Sequence, residues 1–492
     1  MKKLLTAKQM QEADELTIKK HKVPSMVLME RAAMSVVNEM KARRLDQGKI
    51  VVVCGCGNNG ADGIAIARLL YLAGCNASML ILNDITDKQV QLSYQFEMAT
   101  SYGVPIEEDL DVLLACDVIV DGIFGIGLSR SVEGIYSAAI TKMNSSNAYV
   151  VAVDTPSGLA CSTGNVLGIC VKANLTVTFG YMKRGFYLGQ SYEYTGELVC
   201  CDVGIYVDDI DEKALAVTLD ETDLSLLPVR EPNAHKGSCG KVLVVAGNED
   251  MSGAAYLCAK AAMTTGCGLV KIYTARCNVP VLHMMLPEAI VVGFDTFDKS
   301  TIRGLCDWAD SIIIGPGLGT SDLSMMVFKE VLKSSTVPTV IDADGLSLLA
   351  SDSSIYDILH KDCVVTPHFK EMSRLTGKSI DEIKADTCKS ASTFANEHTL
   401  TCLLKDHRTV ITAPFSLTYI NTTGNEGMAT AGSGDVLSGV IGSLLAQGLP
   451  CLTATALGAY IHGAAGDVMV KYKGIRSIIA SDLIDGICEV IK

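Results

Sequence analysis

Short apolar runs that stop at a glycine or an aspartate, each followed by a helical pattern, recur along the whole chain and restrict it to one class of fold. In the first half the runs are residues 50–54, 77–82, 118–121, 149–154 and 175–179. In the second half they include 241–246, 269–273, 312–314, 339–341, 363–365 and 401–404. Continuous β-branched runs of this length read as strands buried on both faces, which implies parallel sheets covered by helices. Residues 62–72 and 253–265 are long and periodic enough to supply two of those helices. The chain is therefore expected to be α/β throughout.

At 492 residues it is too long for one core. Residues 208–228 are acidic and weakly patterned, with Asp208-Asp209, Asp211-Glu212 and Asp220-Glu221, and they separate two expected domains, 1–215 and 216–492. A net charge of −14 with no basic stripe argues against nucleic acid as the main partner. The 18 cysteines are scattered without a Cys-x-x-Cys pair, which reads as small buried thiols in a reducing compartment. The start, Met1-Lys2-Lys3-Leu4-Leu5, has the charge of a signal peptide, yet Thr6, Lys8, Gln9 and Gln11 interrupt it at once. No run approaches the ~18 apolar residues of a membrane span. A soluble, cytoplasmic protein with no membrane association is expected.

The chemistry is concentrated where apolar runs end. Thr430-Ala431-Gly432-Ser433-Gly434-Asp435 leads into the helical pattern Val436-Leu437-Ser438-Gly439-Val440-Ile441. Small residues there bare the amides of a helix N-terminus, which favours phosphate, and Asp435 stands where it could take a proton from a hydroxyl attacking that phosphate. Alone, this junction serves equally as a glycine-rich turn with Asp435 as a cap. Four further stretches join it at strand ends: Gly247-Asn248 with Ser252-Gly253-Ala254-Ala255, Gly315-Pro316-Gly317-Leu318-Gly319, Thr366-Pro367-His368-Phe369-Lys370-Glu371, and Lys405-Asp406-His407-Arg408-Thr409. Singly, these could be a tight turn, a helix start, a satisfied imidazole and a surface lysine. A lysine, a histidine and an anion-binding helix start on one sheet edge point to a phosphorylated ligand.

In the first half, Gly55-Cys56-Gly57-Asn58-Asn59-Gly60 matches a dinucleotide turn, with Asp84 where a ribose-binding acid belongs. Asp62 opposes that reading, because a carboxylate opening the helix would repel a pyrophosphate. Asp62, Asp121 and Asp154 are expected at strand ends, where converging carboxylates require a cation or a shared proton. Oxygen donors from Asn59, Asp121 and Ser157 suit a hard metal ion. Each aspartate by itself could equally be a helix or turn cap.

The Gln9-Met10, Asp14, Leu28-Met29-Glu30, 57–63 and Asp154-Thr155-Pro156-Ser157-Gly158 segments, with Thr178-Phe179-Gly180 and Lys183, resemble the NAD(P)H-hydrate epimerase family over about the first 204 residues. That resemblance implies a Rossmann-like three-layer domain. Its hydrate contacts would be Asn58, Asn59, Gly60, Ala61, Asp62, Gly125, Ile126, Gly127, Leu128, Ser129, Arg130, Ser131 and Asp154, with Asp154 handling the proton. A potassium ion would lie at Asn59, Asp121 and Ser157. Ala61 stands where a second glycine is usual, tolerable unless that residue needs positive φ. Ile126 replaces a usual threonine and removes a hydroxyl.

Residues 225–490 resemble the ribokinase-like superfamily, and more narrowly the ADP-dependent NAD(P)H-hydrate dehydratases, through 315–319, Thr366-Pro367-His368-x-x-Glu371 and 431–435. The resemblance implies a ribokinase-like α/β domain in which Ala255 (or Ala254), Gly317, His368 and Asp435 touch the hydrate. Lys405, Asp406, His407, Arg408, Thr409, Gly432, Ser433 and Gly434 would hold the adenine nucleotide, ADP as co-substrate with Mg2+. Small residues usually follow the lysine, so Asp406-His407-Arg408 is expected to change the grip on the nucleotide. The implied mechanism transfers the terminal phosphoryl of ADP to the hydrate hydroxyl while Asp435 takes its proton; the ring nitrogen then expels phosphate. The small-molecule partners would be NADH and NADPH hydrates and ADP, and a homo-oligomer is expected. Two other classes fit parts of the pattern: a small-molecule kinase for the second half, and a ligand-binding or scaffold module for the first.

Overall fold

The computed structural model describes residues 1–83, 85, 90–207, 211 and 215–492; Asp84, Asp208, Asp209 and Glu212 lie outside the described residues. The chain forms two compact units, Lys3–Leu215 and Ala216–Lys492, the second taking in Met1–Lys2. Among the described residues no helix is long and apolar enough to cross a membrane.

The first unit is built on seven parallel strands. Their order in the sheet is Ile106–Glu107, Asn76–Ile81, Lys49–Cys54, Val118–Gly122, Tyr149–Val153, Leu175–Phe179 and Glu197–Cys201. Alternation along Lys49–Cys54 makes three layers, since successive side chains of a strand point to opposite faces. Ile50, Val52 and Cys54 pack with Ala33 and Val36 of the helix Ser25–Ala42 and Ile64 and Ala67 of the helix Asn58–Leu72. Val51 and Val53 pack instead with Ala139, Ile140 and Met143 of the helix Gly134–Ser145. The chain runs outward from Lys49–Cys54 in one direction and returns to start the other way at Val118–Gly122, so the crevice opens between those two strands, as in a dinucleotide-binding fold.

The second unit repeats the same winding. Ile290–Phe294, Leu269–Ala275, Lys241–Val245, Ser311–Ile314, Thr339–Ile341, Cys363–Val365 and Thr401–Leu404 are neighbours in that order and all parallel. An antiparallel hairpin, Val410–Thr412 and Thr418–Ile420, extends the sheet, and Ala216–Thr218 pairs with it in parallel. The crevice lies between Lys241–Val245 and Ser311–Ile314. Helix Ser433–Ala446 packs against Ser252–Thr264 at very short range: a Cβ on Gly439 would lie 2.3 Å from the Cys258 carbonyl oxygen.

Every strand expected from the sequence is present, but Glu197–Cys201, Ile290–Phe294 and the 410–420 hairpin were not legible. Ile290–Phe294 is a partly exposed edge strand, so its pattern lacks the continuous burial that marks its neighbours. One helix start also differs. The helix expected from Asp62 begins at Asn58, capped by Gly57, which moves Asp62 from the helix mouth to the second turn. All 18 cysteines are free thiols, and of these Cys200, Cys277 and Cys488 are the exposed ones.

Candidate active sites

A cavity of 780 Å³ opens in the first unit at its crevice. Of the expected hydrate contacts, Asn58, Asn59, Asp62, residues 125–130 and Asp154 line it. Gly60 and Ala61 are buried beneath it, and Ser131 is exposed outside it. Gly60 is required by proximity, since a Cβ there would lie 1.9 Å from the Gly55 carbonyl oxygen. Ala61 sits inside the helix and is not among the residues with positive φ, so the missing glycine costs nothing. Ile126 packs against a small apolar cluster containing Leu5, Met10 and Ala13, which replaces the polar contact of a hydroxyl by apolar burial.

Asp154 follows the strand Tyr149–Val153 with φ of 66°, a left-handed conformation that costs a non-glycine residue about 1–3 kcal/mol. Its carboxylate accepts from Lys183 Nζ at 2.7 Å and from Thr178 Oγ1 at 3.0 Å. Lys183 is 1% exposed and also donates to Thr178 Oγ1 at 2.5 Å and to the Phe179 carbonyl at 3.0 Å. The cation that converging carboxylates require is thus, for Asp154, an amino group of the chain itself. Asp14 reaches the same cavity from the helix Ala7–Lys19, whose start is fixed by a reciprocal cap between Thr6 and Gln9. Burial, then repulsion from Asp154 and Asp14, pushes the Asp62 carboxyl well above its ordinary range, and Asp14 is raised chiefly by burial. Asp62, like Asp154, faces this cavity, so the site sets a carboxyl with raised affinity for a proton beside an ion-paired one.

Asp121 lies within the strand Val118–Gly122 and is 0% exposed. It accepts from Ser157 Oγ at 2.6 Å, Ser157 N at 2.8 Å and Ile123 N at 3.2 Å. Burial lifts its carboxyl to about 6 against these hydrogen bonds. These partners are all neutral donors. Asn59 is buried, with Nδ2 left without a partner and Oδ1 3.2 Å from where a Cβ on Gly125 would stand. These oxygen donors fit a hard cation better than a soft transition metal. No cluster of three His, Cys, Asp or Glu able to hold a metal occurs among the described residues.

At the crevice of the second unit, Gly315 turns with φ of 119°; a Cβ there would lie 2.0 Å from the Asp342 carbonyl oxygen. Gly317, with φ of 58°, abuts Ala254, whereas the methyl of Ala255 is 0% exposed in the core. Of the two expected alanines it is Ala254 that borders the turn. His368 caps the helix Phe369–Thr376: Nδ1 accepts from Lys370 N at 3.1 Å and Glu371 N at 3.2 Å, and Nε2 lies 3.6 Å from Glu371 Oε1. His368 and Lys405 are bridged through their backbones, so the two basic residues share one edge.

Lys405 is not a solvated hairpin lysine. It donates to Asp342 Oδ1 at 2.8 Å, and Asp342, 1% exposed, also accepts from Ser438 Oγ at 2.8 Å. Arg408 is tied to the carbonyls of Thr422 and Gly424, while His407 Nδ1 lies 3.1 Å from Asp406 Oδ2. The bulky residues after the lysine are thus engaged with one another and with the segment that follows the hairpin, and Thr409 contacts the Asp406 carbonyl at 3.5 Å. Gly432 caps the helix Ser433–Ala446 with φ of 85°, Ser433 Oγ lies 3.3 Å from His462 Nε2, and Gly434 and Asp435 form the first turn. Burial first, then the nearby Asp342, pushes the Asp435 carboxyl up to about 7, with Lys405 opposing. Burial also drives His462 down to about 4, so it is neutral beside the helix start.

Sequence reasoning missed Asp342, His462 and the roles of Lys183 and Asp14. Asp342 ends the run 339–341 just as Asp121 and Asp154 end theirs, so the same signal was available. His462 lies mid-helix in Cys451–Lys473 and had none.

Two doubly wound α/β units, each with a carboxylate-centred site at its crevice, define a two-site enzyme whose second unit is ribokinase-like. A family described as NAD(P)H-hydrate dehydratase matches residues 242–489, and one described as YjeF-related protein N-terminus matches residues 25–185. The chain is 37% identical to the bifunctional NAD(P)H-hydrate repair enzyme Nnr of Moorella thermoacetica, over 99% of this chain and 96% of that one. It is 33% identical to the protein of that name from Escherichia coli, over 94% and 89%. A ribokinase-like superfamily protein from Enterococcus faecalis superposes with a TM-score of 0.51 at 29% identity, covering 56% of this chain and 95% of its own. The chain belongs to the bifunctional NAD(P)H-hydrate repair enzyme family.

Proposed function

We propose that the chain repairs hydrated NAD(P)H: residues 1–215 exchange the R and S hydrates, and residues 216–492 dehydrate the S hydrate at the expense of ADP. The observation that carries this reading is the pairing, in one chain, of two different proton-handling sites. One has an ion-paired aspartate sharing its cavity with an aspartate whose carboxyl burial raises; the other has an aspartate raised to about 7 at an anion-binding helix start.

In the first unit Asp154, held by Lys183, takes a proton and Asp62 supplies one as the hydrated carbon loses and regains its hydroxyl from the other face. The remaining contacts named above, residues 58–62 and 125–131, surround the substrate. Asn59, Asp121 and Ser157 would hold a potassium ion, which supplies fixed positive charge beside the substrate. In the second unit Asp435 takes the hydroxyl proton as that oxygen forms its bond to the terminal phosphorus of ADP and AMP leaves. The C–O bond then breaks with the ring nitrogen's lone pair, phosphate departs, and loss of a ring C–H proton restores the dihydronicotinamide. The amides of Gly432, Ser433 and Gly434 and the Lys405 ammonium stabilise the charge on the transferred group. Residues 406–409 border the nucleotide, Ala254–Ala255, Gly317 and His368 the hydrate. Magnesium accompanies the nucleotide phosphates.

Purified protein incubated with mixed hydrate epimers and ADP or ATP tests this by recovery of dihydronicotinamide absorbance. Complete recovery requires both activities. Recovery that stops at the S fraction removes the epimerase, and phosphorylated substrate as the end product replaces the dehydratase by a kinase.

A further inference from the structure

Asp342 is a buried charged group of the second site to which neither the sequence pattern nor the family resemblance gives a role. It follows the strand Thr339–Ile341 and is 1% exposed. Lys405 Nζ and Ser438 Oγ each donate to it at 2.8 Å. The next residue, Ala343, has φ of 50° and ψ of −117°, a conformation that L residues rarely adopt, and it heads the helix Asp344–Ser351. Asp344 in turn accepts from Gly319 N at 2.8 Å, which ties this bend to the glycine turn of the crevice. A Cβ on Gly434 would lie 3.6 Å from Lys405 Nζ and 3.7 Å from Asp342 Oδ2. The ion pair therefore borders the first turn of the helix that carries Asp435, where a bare glycine leaves room for phosphate.

We propose that Asp342 is a positioning residue for the dehydration: it holds the Lys405 ammonium against the helix start and acts on the reaction only through Lys405 and Asp435. This rests on the reading of the second unit as a dehydratase. A lysine free to swing would be a solvated point charge. One held by a buried carboxylate stays where the transferring phosphoryl group gathers charge, at no reorganisation cost during the step. The same carboxylate, being a like charge near Asp435, favours the protonated form of Asp435, while Lys405 favours the ionised form. The other titratable groups of this neighbourhood are Asp344, Glu371 and His368 on the helix Phe369–Thr376, His462 on Cys451–Lys473, and Cys258 on Ser252–Thr264. Of the acids among them, Asp342 has the largest effect on Asp435.

The test is the pH dependence of ADP-driven dehydration of the S hydrate by the full chain, so that no epimerisation is needed. In the wild type the acid limb should lie near the about 7 of Asp435. Asp342→Asn should lower kcat, because Lys405 loses the carboxylate that holds it, and should move that limb to lower pH, because Asp435 loses the like charge that most raises it among the nearby acids. Lys405→Met should move it the opposite way. Ser438→Ala, which removes a neutral partner, should leave the limb in place. A uniform fall in rate with an unmoved limb in Asp342→Asn would mean a merely structural role and would overturn the proposal. If Asp342→Asn fails to give a folded unit by circular dichroism, Lys405→Met decides alone: an upward shift supports the proposal and an unmoved limb overturns it. A wild type inactive with both ADP and ATP would instead defeat the functional reading on which it rests.

Discussion

Replacing Lys183 by methionine should separate the two units' activities. The side chain is 1% exposed and Nζ has three partners: Asp154 at 2.7 Å, Thr178 at 2.5 Å and the Phe179 carbonyl at 3.0 Å. Methionine fills much of the same channel but strands all three. Removing one partner of a buried ion pair costs ~3–5 kcal/mol. Asp154 keeps 11% side-chain exposure toward the cavity, so water or a proton relieves part of the loss and the lower end, about 3 kcal/mol, is expected. For a unit of this size each kcal/mol shifts Tm by ~2–4 °C, so the melting of the first unit should fall by roughly 6–12 °C. Without its cation Asp154 also loses the partner that fixes its carboxylate in the site, and epimerisation should drop by ~10²-fold or more. Dehydration of the S hydrate should be untouched. The assay is the mixed-epimer recovery with ADP, read over a time in which uncatalysed exchange is small, beside calorimetry of the same sample. A Lys183→Met protein that melts with the wild type and recovers the whole mixture at the wild-type rate would show that this pair is not the centre of the first site.

Asp435→Asn should lower dehydration by ~10²–10⁴-fold while sparing epimer exchange. It should also melt higher than the wild type above about pH 7: the folded carboxyl is raised to about 7, so the folded state binds more protons than the unfolded one between about 4 and about 7, and this group's contribution to stability falls as pH rises through that window. Gly434→Ala should hold or raise Tm, since alanine is about 1 kcal/mol the better helix former, yet its methyl enters the space before Lys405 and should raise KM for ADP about tenfold or more; an unchanged KM would place the phosphate elsewhere. Dialysis against a buffer whose only monovalent cation is tetramethylammonium should reduce epimerisation and leave dehydration intact, with potassium restoring it; indifference of both activities would remove the cation from the Asp121 site.

Much of each site was legible because strand ends in parallel sheets all face one edge. Asp121 and Asp154 in the first unit, and residues 315–319, His368 and Lys405 in the second, were therefore expected at strand ends, and each lies in or just after its strand. Partnerships across the chain were not legible. Lys183 is separated from Asp154 by 29 residues and Lys405 from Asp342 by 63, and nothing in either local pattern marks a buried lysine. Asp62 was placed at a helix mouth because small polar residues before it read as a turn; Asn58 and Asn59 instead form the first turn, and the carboxylate faces the cavity from the second.

The amino-acid sequence by itself determined that the chain is two α/β units of parallel strands, with small residues and carboxylates at the strand ends, because hydrophobic periodicity and turn chemistry act over a few residues. Only the tertiary structure decided the charge states. Which aspartate is ion-paired, which is raised by burial and which lacks a cationic partner depends on burial and on charges brought in from distant strands, and a carboxylate's affinity for a proton is a property of that surrounding rather than of its neighbours in the chain.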